Sequence, residues 1–285
     1  MNVLSLFDGI SCARVALNRA GIIIGTYYAS EIDKYAMTVA KKNFPDTVHI
    51  GDIKGIVEMN TPIDLLIGGS PCQDLSIGKR NREGLKGTRS SLFWEYVRVK
   101  DIVKPTFFVL ENVASMAKAD KDTISQALGV EPIMIDASLV SAQSRKRLFW
   151  TNIPNITQPT DKGIFLKYVL QADVAEMFFM KPNTFTPTSR RSNKLGFIGN
   201  SDSQANRVYD TNGKSVCLSA NGGGLGAKTG LYTDAERIRK LTPVECERLQ
   251  GLPYDYTTGI STNQRYRCLG NAFNVDVIHH ILLQI

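Results

Sequence analysis

Histidine is scarce in this 285-residue chain, with three in all: His49, His279 and His280. The last two lie in an apolar C-terminal stretch of helical spacing that supplies no catalytic partner, so histidine-dependent hydrolysis loses ground. Cysteine is hardly commoner. The five, at 12, 72, 217, 246 and 268, form no C-x-x-C pair and are odd in number. That argues against a disulfide scaffold or a structural zinc site and leaves each cysteine to be judged alone. Apolar runs such as Ile22-Ile23-Ile24 fall far short of the roughly 18–20 residues a bilayer crossing needs. The N-terminus enters a strand-like Asn2-Val3-Leu4-Ser5-Leu6 without a basic region or cleavage site before it. Neither a full G-x-G-x-x-G nor a Walker A pattern occurs, which makes NAD and ATP poor candidate ligands. The expectation is a soluble, cytoplasmic protein with no membrane partner and no metal.

Apolar residues make up 43% and charged residues 21% of the chain, a globular balance. The net charge is +7, from 34 basic and 27 acidic residues, and its distribution is uneven. From Lys79 to Lys104 there are eight basic residues against three acidic. Further clusters are Arg145-Lys146-Arg147, Arg190-Arg191 with Lys194, and Arg237-x-Arg239-Lys240. Any one of these reads as solvated surface. Their recurrence beside Gly-rich loops points to a polyanionic partner of the nucleic-acid kind.

The first 150 residues alternate strand-like and helical patterns. Residues 2–6, 22–30, 47–50, 63–68, 106–111 and 132–138 read as strands; 12–20, 33–43, 90–103 and 121–128 have helical spacing. This rhythm predicts an α/β fold with a mostly parallel, doubly wound sheet and a ligand crevice at the carboxyl ends of its strands. Residues 153–235 differ: they are rich in Gly, Asn, Thr, Ser and Pro, with short β-like runs, and are too long for one loop. The expectation is a small domain inserted into a larger body made of 1–152 and 236–285. Helical patterning resumes near Asp234. Thr242, Pro243 and Glu245 have the spacing of a capping box with a first-turn proline.

Chemistry-bearing residues collect at the strand ends. Phe7-Asp8-Gly9-Ile10-Ser11 follows the first strand and precedes a helix, a turn at which a ligand can approach the backbone. Glu31 ends the second strand and suits a ribose diol; Asp52 ends the third and suits an adenine amino group. An adenosyl ligand without a phosphate chain fits this set. Gly69-Ser70-Pro71-Cys72-Gln73 follows the fourth strand, and after it comes the polar, basic segment 78–89 with three glycines. Such a segment can close over a polyanion, and a nearby cation favours the thiolate that makes cysteine nucleophilic. Glu111 emerges from the apolar strand Phe107-Phe108-Val109-Leu110, where partial desolvation suits an acid to proton donation. Arg145 and Arg147 alternate on one face of a strand and can hold a carboxylate, a base carbonyl or a phosphate.

Taken in order, these pieces resemble the DNA cytosine-5 methyltransferase family. The series runs Phe7-x-Gly9, Glu31, Asp52, Gly69-Ser-Pro-Cys-Gln73, Glu111-Asn-Val113, Gln143-x-Arg145-x-Arg147, Arg239-Lys-Leu-Thr-Pro-x-Glu245 with Leu249-Gln-Gly251, and Gly270-Asn271-Ala272. It covers the chain apart from 153–235. Residues 69–76 and 130–150 look closest to the catalytic domain of the animal de novo enzymes, whereas 207–232 look like bacterial and phage ones. The expectation is a stand-alone enzyme of a bacterium or a phage-infected host cell.

The resemblance implies a Rossmann-like methyltransferase fold, S-adenosyl-L-methionine as cofactor, S-adenosyl-L-homocysteine as product, and double-stranded DNA as partner. No obligate protein partner follows from it; a companion restriction enzyme would share the target sequence without binding. Cys72 becomes the nucleophile that adds to cytosine C6, and Glu111 assists at N3. Arg147 contacts the carbonyl edge of the base and Arg145 the backbone of the target nucleotide. Phe7, Asp8, Gly9, Ile10, Glu31, Ile32, Asp52, Ile53, Pro71, Asn271 and Ala272 fall at or beside cofactor-contacting positions. The basic loop with Ser76, Lys79, Arg80, Arg82, Lys86 and Arg89 closes behind a flipped base. The insert, with Arg190, Arg191, Arg207, Gly223 and Gly224, reads base edges. Two departures stand out: Ser11 replaces a glycine usual in the first motif, and Cys217 stands where relatives carry a threonine. A tRNA-methylating branch shares the nucleophile, but the long insert favours duplex DNA. An inactive scaffold typically lacks the Pro-Cys motif or the catalytic acid, and both are present here.

Overall fold

A computed structural model gives the fold and describes residues 1–71, 85, 91–181, 184–191, 193–221, 223–233 and 237–285, with backbone alone at 189–191. By contacts the chain divides into two compact units. The first is Met1–Ile135 with Lys146–Gln158 and Val277–Ile285; the second is Asp136–Arg145 with Pro159–Asp276.

The first unit alternates strand and helix through β1 (Val3–Leu6), α1 (Cys12–Arg19), β2 (Tyr27–Ser30), α2 (Lys34–Asn43), β3 (Val48–His49), β4 (Leu65–Gly69), α3 (Leu92–Val103), β5 (Phe107–Val113), α4 (Lys118–Leu128), β6 (Ile133–Asp136) and β7 (Lys146–Thr151). Among the described residues these strands form a seven-stranded sheet in the order β3-β2-β1-β4-β5-β7-β6. Neighbours from β3 to β5 are parallel, and β7 runs antiparallel to β5. Every residue of β1 is buried, as expected of a strand covered on both faces. On α3 the buried residues are Phe93, Tyr96 and Val99, three apart on one face. They pack into a core with Leu4, Leu6, Leu66, Leu110 and Trp150. Strand order reverses between β1 and β4, where such sheets open a crevice at their carboxyl ends.

One expected strand is shorter than its composition suggests. Of 22–30 only Tyr27–Ser30 joins the sheet. Gly21 takes a left-handed φ of 69° and Ile22 N donates to Leu17 O, so the chain is still closing α1. Ile23 is left 86% exposed.

The second unit carries β8 (Phe185–Arg191), β9 (Lys194–Ile198), β10 (Arg207–Asp210), β11 (Leu231–Thr233) and β12 (Ile238–Lys240), then α5 (Pro243–Leu249) and α6 (Thr262–Asn271). Its sheet runs β12-β11-β10-β9-β8 over a small core of Ile198, Val208 and Leu231. The helix α7 (Val275–Leu282) follows. Residues 237–276, which the sequence pattern groups with the larger body, pack in this unit. Glu245 gives the reason. Fully buried, it accepts from both Arg239 guanidinium nitrogens at 2.7 and 2.8 Å, from Thr242 N and from Gln171 N. Thr242, Pro243 and Glu245 form the anticipated capping box. Among the described residues, no helix is long and apolar enough to cross a membrane.

Candidate active site

The turn after β1 holds an unusual backbone. Phe7, Gly9 and Ser11 all take left-handed φ values, 55°, 61° and 59°. For a phenylalanine and a serine these are uncommon conformations that surrounding contacts must impose. Asp8 supplies them. Its carboxylate accepts from the Ser11 hydroxyl at 2.5 Å and from the Tyr27 hydroxyl at 2.7 Å, and its backbone N–H donates to Ser30 O. Burial raises the Asp8 carboxyl above its ordinary range, against hydrogen bonds and the nearby Arg14 cation that pull it down. Ser11 thus occupies the usual glycine position in a glycine-like conformation, held by its own hydroxyl.

Glu31 follows β2. One carboxylate oxygen accepts from Gly9 N at 2.8 Å, the other from Ile32 N and Asp33 N, both at 2.8 Å. Burial raises its pKa, against those three amides, and the Asp8 charge adds to the rise. A carboxylate has about four acceptor sites, so the oxygen facing Gly9 keeps capacity for a ligand hydroxyl. Beside it Ile32 is 71% exposed, an apolar face set against that acceptor. Asp52, also exposed, accepts from Lys54 N at 3.0 Å. An adenosyl group fits this set, since its ribose hydroxyls donate to carboxylate and its ring covers apolar surface. Ile10 and Ile53 lie in the core instead, 1% and 3% exposed, so their side chains are not available to a ligand.

At the ends of β4 and β5 the register pairs Gly69 with Glu111, and β7 pairs Arg147 with Val113. Glu111 Oε1 and Arg147 Nε lie 2.6 Å apart, with both side chains about seven-eighths buried. The fully buried Asn112 donates to Ser70 O at 3.2 Å and to Ser70 Oγ at 3.1 Å, anchoring the turn that leads through Pro71. Cys72 lies outside the described residues, as do Ser76, Lys79, Arg80, Arg82, Lys86 and Arg89.

Arg145 sits differently from Arg147. In the second unit it is 4% exposed, with its guanidinium on main-chain carbonyls: Leu218 O at 3.3 Å, Gly270 O at 3.2 Å and Ala272 O at 2.9 Å. It also donates to Cys217 Sγ at 3.3 Å. Asn271 is exposed and Ala272 buried.

Of the expected base-reading residues, Arg207 pairs with Asp202 at 2.9 Å and remains about two-fifths exposed. Gly223 and Gly224 are exposed, the latter at φ 108°. Arg190 and Arg191 end β8, their side chains outside the described atoms. Sequence reasoning did not single out Tyr27, whose hydroxyl reaches Asp8 only because β2 lies beside β1. Nor did it give roles to Asn112 and Gln143, though both fall inside motifs it quoted.

A family model described as C-5 cytosine-specific DNA methylase matches residues 1–285. Type II methyltransferase M.HhaI of Haemophilus parahaemolyticus is 30% identical over 312 residues, covering 100% of this chain and 94% of that protein. Orphan methyltransferase M.SPRI of Bacillus phage SPR is 35% identical over 162 residues, covering 52% of this chain and 37% of that one. Among solved structures, the Entamoeba histolytica methyltransferase EhMeth superposes with a TM-score of 0.74 at 18% identity, covering 100% of this chain and 97% of that one. This last likeness concerns the fold.

Proposed function

Because the chain belongs to the C-5 cytosine-specific DNA methylase family, we propose that it transfers a methyl group to C5 of a cytosine flipped out of a specific duplex sequence, with Cys72 as nucleophile. It is a DNA (cytosine-5-)-methyltransferase and its cofactor is S-adenosylmethionine. The cofactor, when bound, supplies an electrophilic methyl group. The observation that carries the proposal is the Glu111–Arg147 pair, at the carboxyl end of β5 and the start of β7, beside the Ser70 turn that Asn112 anchors.

Cytosine C5 is too weak a nucleophile to react unaided. In this reading the Cys72 thiolate adds at C6 while the Glu111 carboxyl group gives a proton to N3, and the ring becomes enamine-like at C5. The activated C5 would accept that methyl group, the C5 proton would pass to a water, and the N3 proton would return to Glu111 as elimination of the Cys72 thiolate restores the aromatic ring. Covalent catalysis divides one hard step into easier ones. Arg147 holds the Glu111 carboxyl group in place, and its guanidinium contacts the carbonyl edge of the base. Flipping the base costs a few kcal/mol, and the basic residues Lys79, Arg80, Arg82, Lys86 and Arg89 would offset part of that cost through the charge of the phosphates. Glu31, Ile32 and Asp52 hold the adenosyl group, and Asp8 and Ser11 shape the turn against it. Asn271 and Ala272, in the second unit, are the further positions the family resemblance gives to the cofactor. The bacterial and phage relatives support a cytoplasmic enzyme of a bacterium or a phage-infected cell.

The test incubates duplex DNA of diverse sequence with the protein and S-adenosylmethionine and reads 5-methylcytosine base by base. Methylation in one sequence context, abolished by Cys72→Ala, is the expected result. Methylation of a matched structured RNA and not of DNA would overturn it.

A further inference from the structure

Three chain segments far apart in sequence meet in the second unit, and Arg145 is the side chain all three share. Its guanidinium spans two of them. One nitrogen donates to Leu218 O and Cys217 Sγ, the other to Gly270 O and Ala272 O. Its own segment is held in turn: Arg145 N donates to Asp136 Oδ1 at 2.9 Å and Ala137 N donates to Arg145 O.

The neighbouring contacts follow the same plan. Gln143, fully buried, accepts from Leu218 N at 2.9 Å and donates to Gln250 Oε1, while Gln250 Nε2 donates to Leu269 O at 2.6 Å. Gly270 lies so close to the backbone of Ser219 and Ala220 that any Cβ there would overlap it. The end of α6 is therefore packed directly under the 217–220 strip. Main-chain carbonyls of Leu218, Gly270 and Ala272 all accept from the guanidinium. A planar cation carrying five donors can satisfy such a set, and a lysine ammonium cannot span it.

We propose that Arg145 is a positioning residue that fixes the Gly270–Asn271–Ala272 turn against the Cys217–Ala220 strip, and thereby sets cofactor affinity. It does not hold the target nucleotide. The proposal rests on the cofactor reading of Asn271 and Ala272. Removing the guanidinium unties the turn from the strip while Glu111 and Arg147 keep their own pairing. The loss then falls on binding of the cofactor and leaves the chemical step largely intact.

Arg145→Lys and Arg145→Ala serve as the test, with S-adenosylhomocysteine binding followed by calorimetry on the full chain and methyl transfer followed at saturating DNA. The expected result is a rise of about tenfold or more in both the S-adenosylhomocysteine Kd and the cofactor KM, equivalent to about 1.4 kcal/mol. At saturating cofactor, kcat should stay within a few-fold of the parent. Should Arg145→Ala fail to fold, Arg145→Lys carries the same comparison. An unchanged Kd with a collapsed kcat would overturn the proposal and return Arg145 to the target nucleotide. No S-adenosylhomocysteine binding by the parent protein would instead overturn the functional reading on which it rests.

Discussion

Glu111 and Arg147 face one another across the antiparallel pair β5 and β7, carboxylate oxygen to guanidinium Nε at 2.6 Å. Neither strand end suffices alone, because the pair forms only when β7 inserts beside β5 in reversed direction. Glu111→Gln keeps the volume and removes the charge. A drop of about 10²–10⁴-fold in the methyl-transfer rate is expected, the range typical of a lost acid–base group. Cofactor binding measured calorimetrically should be unchanged. Arg147→Ala leaves the carboxylate without its cation and should destabilise the fold by about 3 kcal/mol in denaturant unfolding. The double variant should recover part of that loss, as coupled neighbours do. Additive losses would show that the pair is not coupled.

Asp8 makes stability depend on pH in a direction opposite to a salt-bridged carboxylate. Burial raises its pKa in the fold, so the folded chain holds this proton more tightly than the unfolded chain does. The stabilisation is full below the ordinary carboxylate pKa and is lost as pH rises through the raised value. Asp8→Asn keeps partners for Tyr27 and Ser11 without that titration. The stability difference between variant and parent, measured by urea unfolding, should therefore move in the variant's favour from acid to neutral pH. Parallel pH profiles would refute this.

Ser11 combines a left-handed backbone with a hydroxyl bonded to Asp8. Ser11→Ala keeps the backbone strain and loses the bond, and should cost about 1–2 kcal/mol. Ser11→Gly also loses the bond but relieves a conformational penalty of about 1–2 kcal/mol. It should fall close to the parent in thermal unfolding. Equal losses in both variants would mean that the backbone is not strained there.

Asn112 acts on the site through Ser70. Asn112→Ala strands the buried Ser70 groups it serves, at about 1–3 kcal/mol. Because that turn leads to Cys72, turnover should fall at least about tenfold at temperatures where the variant remains fully folded, a loss of about 1.4 kcal/mol in transition-state binding. Stability loss with normal turnover would confine Asn112 to the fold.

Much of this was legible in the residue order. The strand–helix rhythm announced the doubly wound sheet, since a strand covered on both faces is mostly apolar, and β1 and β4 are, with Ser5 the one polar side chain between them. The capping box at Thr242 was readable because it is a contact three residues long. The isoleucines of 22–30 have β propensity, but Gly21 closes α1 there and only Tyr27–Ser30 forms a strand. The role of Arg145 was hidden for another reason. Alternation with Arg147 says which side of a strand a residue takes, and nothing about which carbonyls wait there.

The sequence by itself determined the elements and the order of the motifs, because both depend on contacts within a few residues along the chain. Only the tertiary structure decided how alike residues differ in use. Two arginines two positions apart end in different surroundings, one against Glu111 and one among carbonyls from residues 218, 270 and 272. Two carboxylates, Asp8 and Glu31, share a desolvated corner. Such differences arise from packing between segments more than a hundred residues apart in the case of Arg145, where desolvation and donor geometry outweigh anything that local pattern encodes.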